Sequence, residues 1–170
     1  MGAYYGAETA TYLIQDHIKT TIATNLANVR AERDNAVVTT EPPREYFIYH
    51  TSNVYRAPAV FTIFESQKIT NTESNGNHIN AKDYVTVAVV VQDRLENLLT
   101  IKCWRYQAAL MQSLHQVILT NGDSSVKLFL RVDECIFTET VSLTGTEGKE
   151  QMFRKEVGLK LIVDHIENLE

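Results

Sequence analysis

The stretch Val85-Thr86-Val87-Ala88-Val89-Val90-Val91-Gln92-Asp93-Arg94-Leu95-Glu96-Asn97-Leu98-Leu99 decides the fold of this chain. Its first half places a β-branched residue at every second position, the pattern of a strand whose alternate side chains share one face. Beyond Asp93 the period changes. Leu95, Leu99, Cys103, Tyr106, Leu110, Leu114 and Val117 follow at steps of four and three, which keeps them on one helical stripe. Asp93 followed three positions later by Glu96 spells a capping box, so the strand is expected to enter a helix almost without a loop. That helix is expected to run to Leu119 and to stop at Asn121-Gly122. The reverse face of the strand, Thr86, Ala88 and Val90, also becomes apolar, which predicts a central strand covered on both sides by a helix and by a neighbouring subunit. Leu98, Ile101, Met111 and Ile118 widen the helix's apolar face beyond one stripe and predict a second contact surface.

Upstream, Ala10, Leu13, Ile14, Ile18, Ile22, Leu26 and Val29 recur at helical spacing and predict a one-faced helix over about 8–32. Glu41-Pro42-Pro43 bars its continuation, because each proline lacks a donor and disfavours α geometry before it, so a connector occupies about 36–44. Tyr46–Tyr49 and Ala59–Ile69 are rich in aromatic and β-branched residues and read as strands. The Asn- and Gly-bearing segment 71–77 is a turn leading into the strand from His78, so an antiparallel hairpin is expected there. Downstream, Leu128, Leu130 and Val132 alternate until Cys135-Ile136-Phe137, where a bulge or bend is expected. Phe153, Val157, Leu159, Leu161 and Val163 share one face of the last strand. Between them, 143–150 is the polar tip of a long hairpin. The fold class is α+β, a mostly antiparallel mixed β-sheet with two long α-helices packed on it, in the order α-β-β-α-β-β.

Its 170 residues suit one hydrophobic core, and the whole of 1–170 is read as a single domain. With 44% hydrophobic residues, seven Gly and three Pro, the composition is that of a globular protein and not of a disordered one. The longest aliphatic run, Val87–Val91, is far too short to span a membrane, and no secretory leader is read at Met1-Gly2-Ala3. Sixteen Lys and Arg against 21 Asp and Glu leave a charge of −5. Residues 120–170 hold six basic and ten acidic residues, so the excess is concentrated there. Such a chain repels phosphate backbones and lacks the basic stripe of a sequence-specific DNA binder.

No catalytic, cofactor or metal site is read from the sequence. Gly145-Thr146-Glu147-Gly148-Lys149-Glu150 contains Gly-Lys, but a phosphate loop needs glycine where Leu143 stands and Ser or Thr where Glu150 stands. His17, His50, His78, His115 and His165 include no i, i+4 pair. His165 is expected to form an exposed pair with Asp164 or Glu167, worth little. Cys103 and Cys135 belong to no Cys/His cluster and are read as buried free thiols, with Cys103 mid-helix and away from any activating helix start. Asp133 and Glu134 are adjacent on a strand and point to opposite faces. Trp104, Arg105 and Tyr106 are read as a core or subunit contact in preference to a base-stacking platform. Tyr4, Tyr5 and Tyr12 near the start are candidate interface residues, since aromatics supply contact area at small entropic cost.

This order of elements resembles the tail terminator, or tail completion, proteins of long-tailed bacteriophages. Pro58-Ala59-Val60-Phe61-Thr62-Ile63-Phe64 is similar to an early strand of that family, His78–Asp93 to its valine-rich strand ending in an acidic residue, and Leu95–Leu114, with Arg105-Tyr106 at its centre, to the helix that follows. The resemblance covers about residues 8–166. It implies a virion protein of the tail and neck, assembled in the host cytoplasm, that forms a homo-oligomeric ring, typically a hexamer. Such a ring caps the head-proximal end of the tail tube, stops its polymerisation and joins the head connector or neck protein, with genome DNA passing through the lumen without specific binding. No catalytic residues come with the family. Within that reading Leu98, Ile101 and Met111 are candidate subunit contacts, and Gly145, Glu147 and Lys149 sit in a loop expected to order against the tube or connector. Two other readings are a different neck protein on the portal side, and a small α+β enzyme or ligand-binding regulatory domain, which needs a polar pocket.

Overall fold

The computed structural model describes residues 5–33, 38–49, 56–70, 77–143 and 151–169. Helix α1 spans Gly6–Arg33, and its buried residues Ala10, Ile14, Ile18, Ile22, Leu26 and Val29 are those the periodicity singles out. Glu8 in its first turn and Arg30 and Arg33 in its last complement the helix dipole. Strands β1 (Glu45–Phe47), β2 (Ala59–Ile69) and β3 (His78–Asp93) follow, then helix α2 (Glu96–Leu114), then β4 (Val117–Thr120), β5 (Val126–Phe137), β6 (Val141–Leu143) and β7 (Met152–Asn168). The seven strands form one mixed sheet ordered β1-β2-β3-β7-β5-β4, with β6 on β7.

The order is therefore α-β-β-β-α-β-β-β-β, and the expected α-β-β-α-β-β is corrected by three strands of three or four residues, β1, β4 and β6. β1 falls where Tyr46–Tyr49 reads as a strand, while β4 and β6 carry too few alternations to declare themselves. Five of the six strand pairings are antiparallel, and β1 runs parallel to β2. The central ladder joins all of β3 to β7, from His78 opposite Asn168 to Asp93 opposite Phe153. Val85, Val87 and Val89 face the same side as Leu161, Leu159 and Val157, and both helices bury this side together with Leu128 and Leu130 of β5.

The strand does enter α2 with almost no loop, but not through a capping box. Asp93 is still in β3, and the N-cap is Leu95, which has no side-chain oxygen to offer. Asp93 instead accepts the Leu95 N–H at 2.9 Å, and its other oxygen pairs with Lys102 at 2.5 Å. Leu95, expected to begin the buried stripe, is 55% exposed because the helix starts after it. The helix also stops earlier than expected, at Leu114. His115 is extended, Gln116 adopts a positive φ of 59°, and Val117–Thr120 pair with β5 as a hairpin strand. Asn121-Gly122 thus turns a hairpin and does not end a helix. The bulge in β5 falls between Val132 and Glu134, just before the segment where the alternation breaks. A second bulge, between Phe64 and Ser66 of β2, brings Gln67 to the helix side opposite Asp83. Cys103 is buried, and Cys135, expected buried, is half-buried.

Candidate functional site

Both helices lie on one side of the sheet, and no helix among the described residues covers the other. Alternation sends Tyr84, Thr86, Ala88 and Val90 of β3 to that reverse side, with Ala59, Phe61 and Ile63 of β2 and Gly158 and Ile162 of β7 beside them. At the β1 end the face makes a small second core: Ala59, Phe61 and Val90 are buried, and Phe47 stacks on Phe61 with ring centres 5.2 Å apart. In the middle, Phe61, Ile63, Ala88, Ile136 and Gly158 line a shallow, largely apolar depression of about 120 Å³. Gly158 belongs in its floor, since a Cβ there would lie 3.2 Å from the Val87 carbonyl oxygen. Farther along, Tyr84, Phe129 and Ile118 are 36%, 37% and 60% exposed on the same side. The Lys160–Glu134 ion pair at 2.7 Å crosses between the two apolar areas. Apolar rings and aliphatic chains in this number on one face that no described helix covers are what a protein contact surface offers.

The residues picked out from sequence fall on other surfaces. Tyr5, just ahead of α1, and Tyr12 on it are 44% and 43% exposed, and with Glu8, Thr9, Leu13 and Asp16 they border an open groove of about 370 Å³. Leu98, Ile101 and Met111 are half-buried on α2. Tyr4, Gly145, Glu147 and Lys149 lie outside the described residues. The expected cover on the reverse side of β3 was the usable signal for the open face, but its neighbours Phe61, Ile63 and Ile136 become part of it only once the register is known.

A polar recess of about 190 Å³ lies between the connector and α2, bordered by Glu41, Arg44, Pro58, Gln92, Lys102 and Tyr106. Its charges are already paired, Arg44 with Glu41 and Lys102 with Asp93. Above it the Arg105-Tyr106 pair ties the connector to α2: Arg105 donates to the Val38 carbonyl and Tyr106 to the Glu41 carbonyl. Trp104 between their neighbours points outward, 49% exposed.

His165 does lie beside Glu167, one of the two partners expected of it, but the pair is buried where an exposed one was expected. The histidine is 1% exposed, with Nδ1 2.7 Å from Asp83 Oδ2 and Nε2 3.2 Å from Glu167 Oε2, and both carboxylates are fully buried. The pairing partner on β3 is 82 residues away and invisible to local spacing. Glu167 in turn accepts the N–H groups of Tyr5 and Gly6 at the start of α1, and Asp83 accepts from Gln67 at 2.8 Å. The imidazole stands between the carboxylates, and among the described residues no group of three or more His, Cys, Asp or Glu is placed to hold a metal ion. No described helix is long and apolar enough to cross a membrane.

No family model matches the chain, and no curated protein matches it. Solved structures similar to it include a chain from the virion of a native gene transfer agent particle, at 12% identity and a TM-score of 0.33, over 90% of this chain and 98% of that one.

Proposed function

We propose that the chain is a non-catalytic structural subunit of a tailed phage or phage-like particle, and specifically a ring-forming tail terminator. The observation that carries this reading is the apolar reverse face of the sheet, on the side opposite the two helices. A subunit with distinct contact surfaces on opposite sides is suited to heterologous association, which closes into a ring when the rotation permits. Three parts of the family resemblance support it: the strand opened by Pro58, the β3 strand ending at Asp93, and the helix centred on Arg105-Tyr106. The excess of acidic over basic residues lets DNA pass a lumen without adhering. Each subunit would meet its neighbours through the sheet face on one side and the flank of α2 on the other, and the tail tube and neck proteins along the ring axis.

Light scattering tests the proposal directly. The wild-type chain is expected to form closed rings alone or on meeting tail tube protein, and Ile63→Lys together with Ile136→Lys is expected to stay monomeric while keeping the wild-type circular dichroism spectrum. A wild-type chain that remains monomeric with tube and portal-side proteins alike would overturn it. Rings that bind only the portal side would mean a different neck protein.

A further inference from the structure

We infer that Trp104 of one copy of the chain seats in the depression on the sheet face of the next, a contact that rests on the tail-terminator reading and names the two surfaces that meet. Trp104 is the chain's single tryptophan and is 49% exposed midway along α2. Ile101, Trp104, Ala108 and Met111 follow at steps of three and four, so they share one stripe. That stripe is neither the core side, where Leu99, Cys103, Tyr106 and Leu110 are buried, nor the side where Ser113 bonds to Thr21 and Asn25 of α1. A helix face turned to water is normally charged. α1 obeys this, with Glu8, Asp16, Lys19, Arg30 and Glu32 exposed. After Glu96, α2 has only two charged residues: Lys102 pairs with Asp93, and Arg105 is buried against Val38. Its outward stripe is therefore uncharged and carries a Trp and a Met, the composition of the centre of a protein interface.

The depression has the complementary form. Its volume of about 120 Å³ approaches the roughly 150 Å³ of a cavity that holds one benzene molecule, so it admits one aromatic side chain and no helix. Phe61, Ile63, Ala88 and Ile136 give it apolar walls, and Gly158 keeps its floor open. Glu156 also lines it, and a buried indole needs an acceptor for its N–H. α2 packs on the opposite side of the sheet from the depression, so no copy can fill its own. A knob and a socket at different places on one chain make a head-to-tail contact, in which each copy gives its Trp104 to one neighbour and receives that of the other.

The test is sedimentation equilibrium of the full chain at up to about 1 mM, where even millimolar association registers, with tryptophan emission as a second readout. The wild-type chain should assemble, and as it does its emission should shift to the blue and lose access to acrylamide. Trp104→Ala should weaken association about a hundred-fold, and so should Ala88→Leu, which fills the depression, each with the wild-type circular dichroism spectrum. Mixed in equal amounts, the two variants should form dimers that grow no further, since one keeps only the socket and the other only the knob. If Ala88→Leu does not fold, Ile136→Lys blocks the same depression in its place. Variants that assemble like wild type, a mixture no more associated than its parts, or assembly in which Trp104 still emits as a water-exposed indole would overturn the pairing and leave the tail-terminator reading standing. A wild-type chain that stays monomeric overturns the pairing as well, and the tail-terminator reading only if tube and portal-side proteins also leave it monomeric.

Discussion

Arg105 of α2, 1% exposed, donates through Nη1 to the carbonyl oxygen of Val38 at 2.6 Å, 67 residues earlier in the chain. The next residue, Tyr106, donates its hydroxyl to the Glu41 carbonyl. Two neighbours on one helix therefore fasten two points of the connector after α1, a segment whose prolines keep it out of any regular backbone ladder. Burial lowers the Arg105 guanidinium below its ordinary value, with Arg33 and Arg30 adding to the effect. Burial and the nearby Glu41 charge push the Tyr106 hydroxyl well up.

The clamp gives unequal mutational costs. Arg105→Ala removes a charged donor and leaves the Val38 carbonyl buried without it, and is expected to lower stability by about 3 kcal/mol. Tyr106→Phe loses only the hydroxyl and should cost about 1 kcal/mol. Urea denaturation followed by circular dichroism measures both, and equal losses would contradict the assignment.

Leu110 and Met111 are adjacent on α2 but differ in burial. Leu110 is fully buried, so Leu110→Asp places an unpaired charge in the core and should unfold the chain. Met111 is half-buried, so Met111→Asp should cost about 1 kcal/mol at most and weaken assembly. Denaturation curves with light scattering on the same samples separate fold from association. Unfolding of both would make Met111 plain core.

Asp93 makes acid stability depend on one ion pair. Burial by itself raises its carboxyl, but the hydrogen bond and charge of Lys102, with the N–H groups of Leu95 and Arg94, bring it below the usual carboxylate value. A depressed carboxyl contributes stability above the unfolded value and loses it as pH falls through the folded one. Wild type should therefore exceed Asp93→Asn by about 1 kcal/mol at pH 7, and the two urea midpoints should converge below about pH 4. A gap that persists in acid would assign the effect to something other than ionisation.

Cys103 should be chemically silent in the native state. Burial pushes its thiol up to about 11, against the opposing pull of Lys155, so little thiolate exists near neutral pH. Alkylation at pH 8, followed by mass spectrometry, should label Cys103 at least about a hundred-fold more slowly than it does in urea. Native labelling of Cys103 at a rate near the unfolded one would mean that α2 lifts from the sheet.

Local periodicity exposed α1, the β3 strand, the β7 face and most of α2, because each has enough repeats to bury one side consistently. It failed where the decisive partner is distant. Val117 and Ile118 continue a helical spacing from Leu114, yet they belong to a strand because Leu130 and Phe129 stand ready to pair with them. His165 looked exposed beside Asp164 or Glu167 because sequence cannot show Asp83 across the ladder. The reverse face of β3 was anticipated from Ala88 and Val90, but the depression formed with Ile63 and Ile136 needs the registers of three strand pairs.

The β3–β7 ladder joins sixteen consecutive pairs without a register shift. At about 3.3 Å per residue the two strands overlap along roughly 50 Å. Force applied along the strands must shear these pairs together, whereas force across them would open one pair at a time. The chain should therefore be mechanically strong in one direction and weak in the perpendicular one. A single molecule pulled from Tyr84 and Ile162, which face each other across the ladder, should yield at lower force than one pulled from His78 and Phe153, which lie at opposite ends of it.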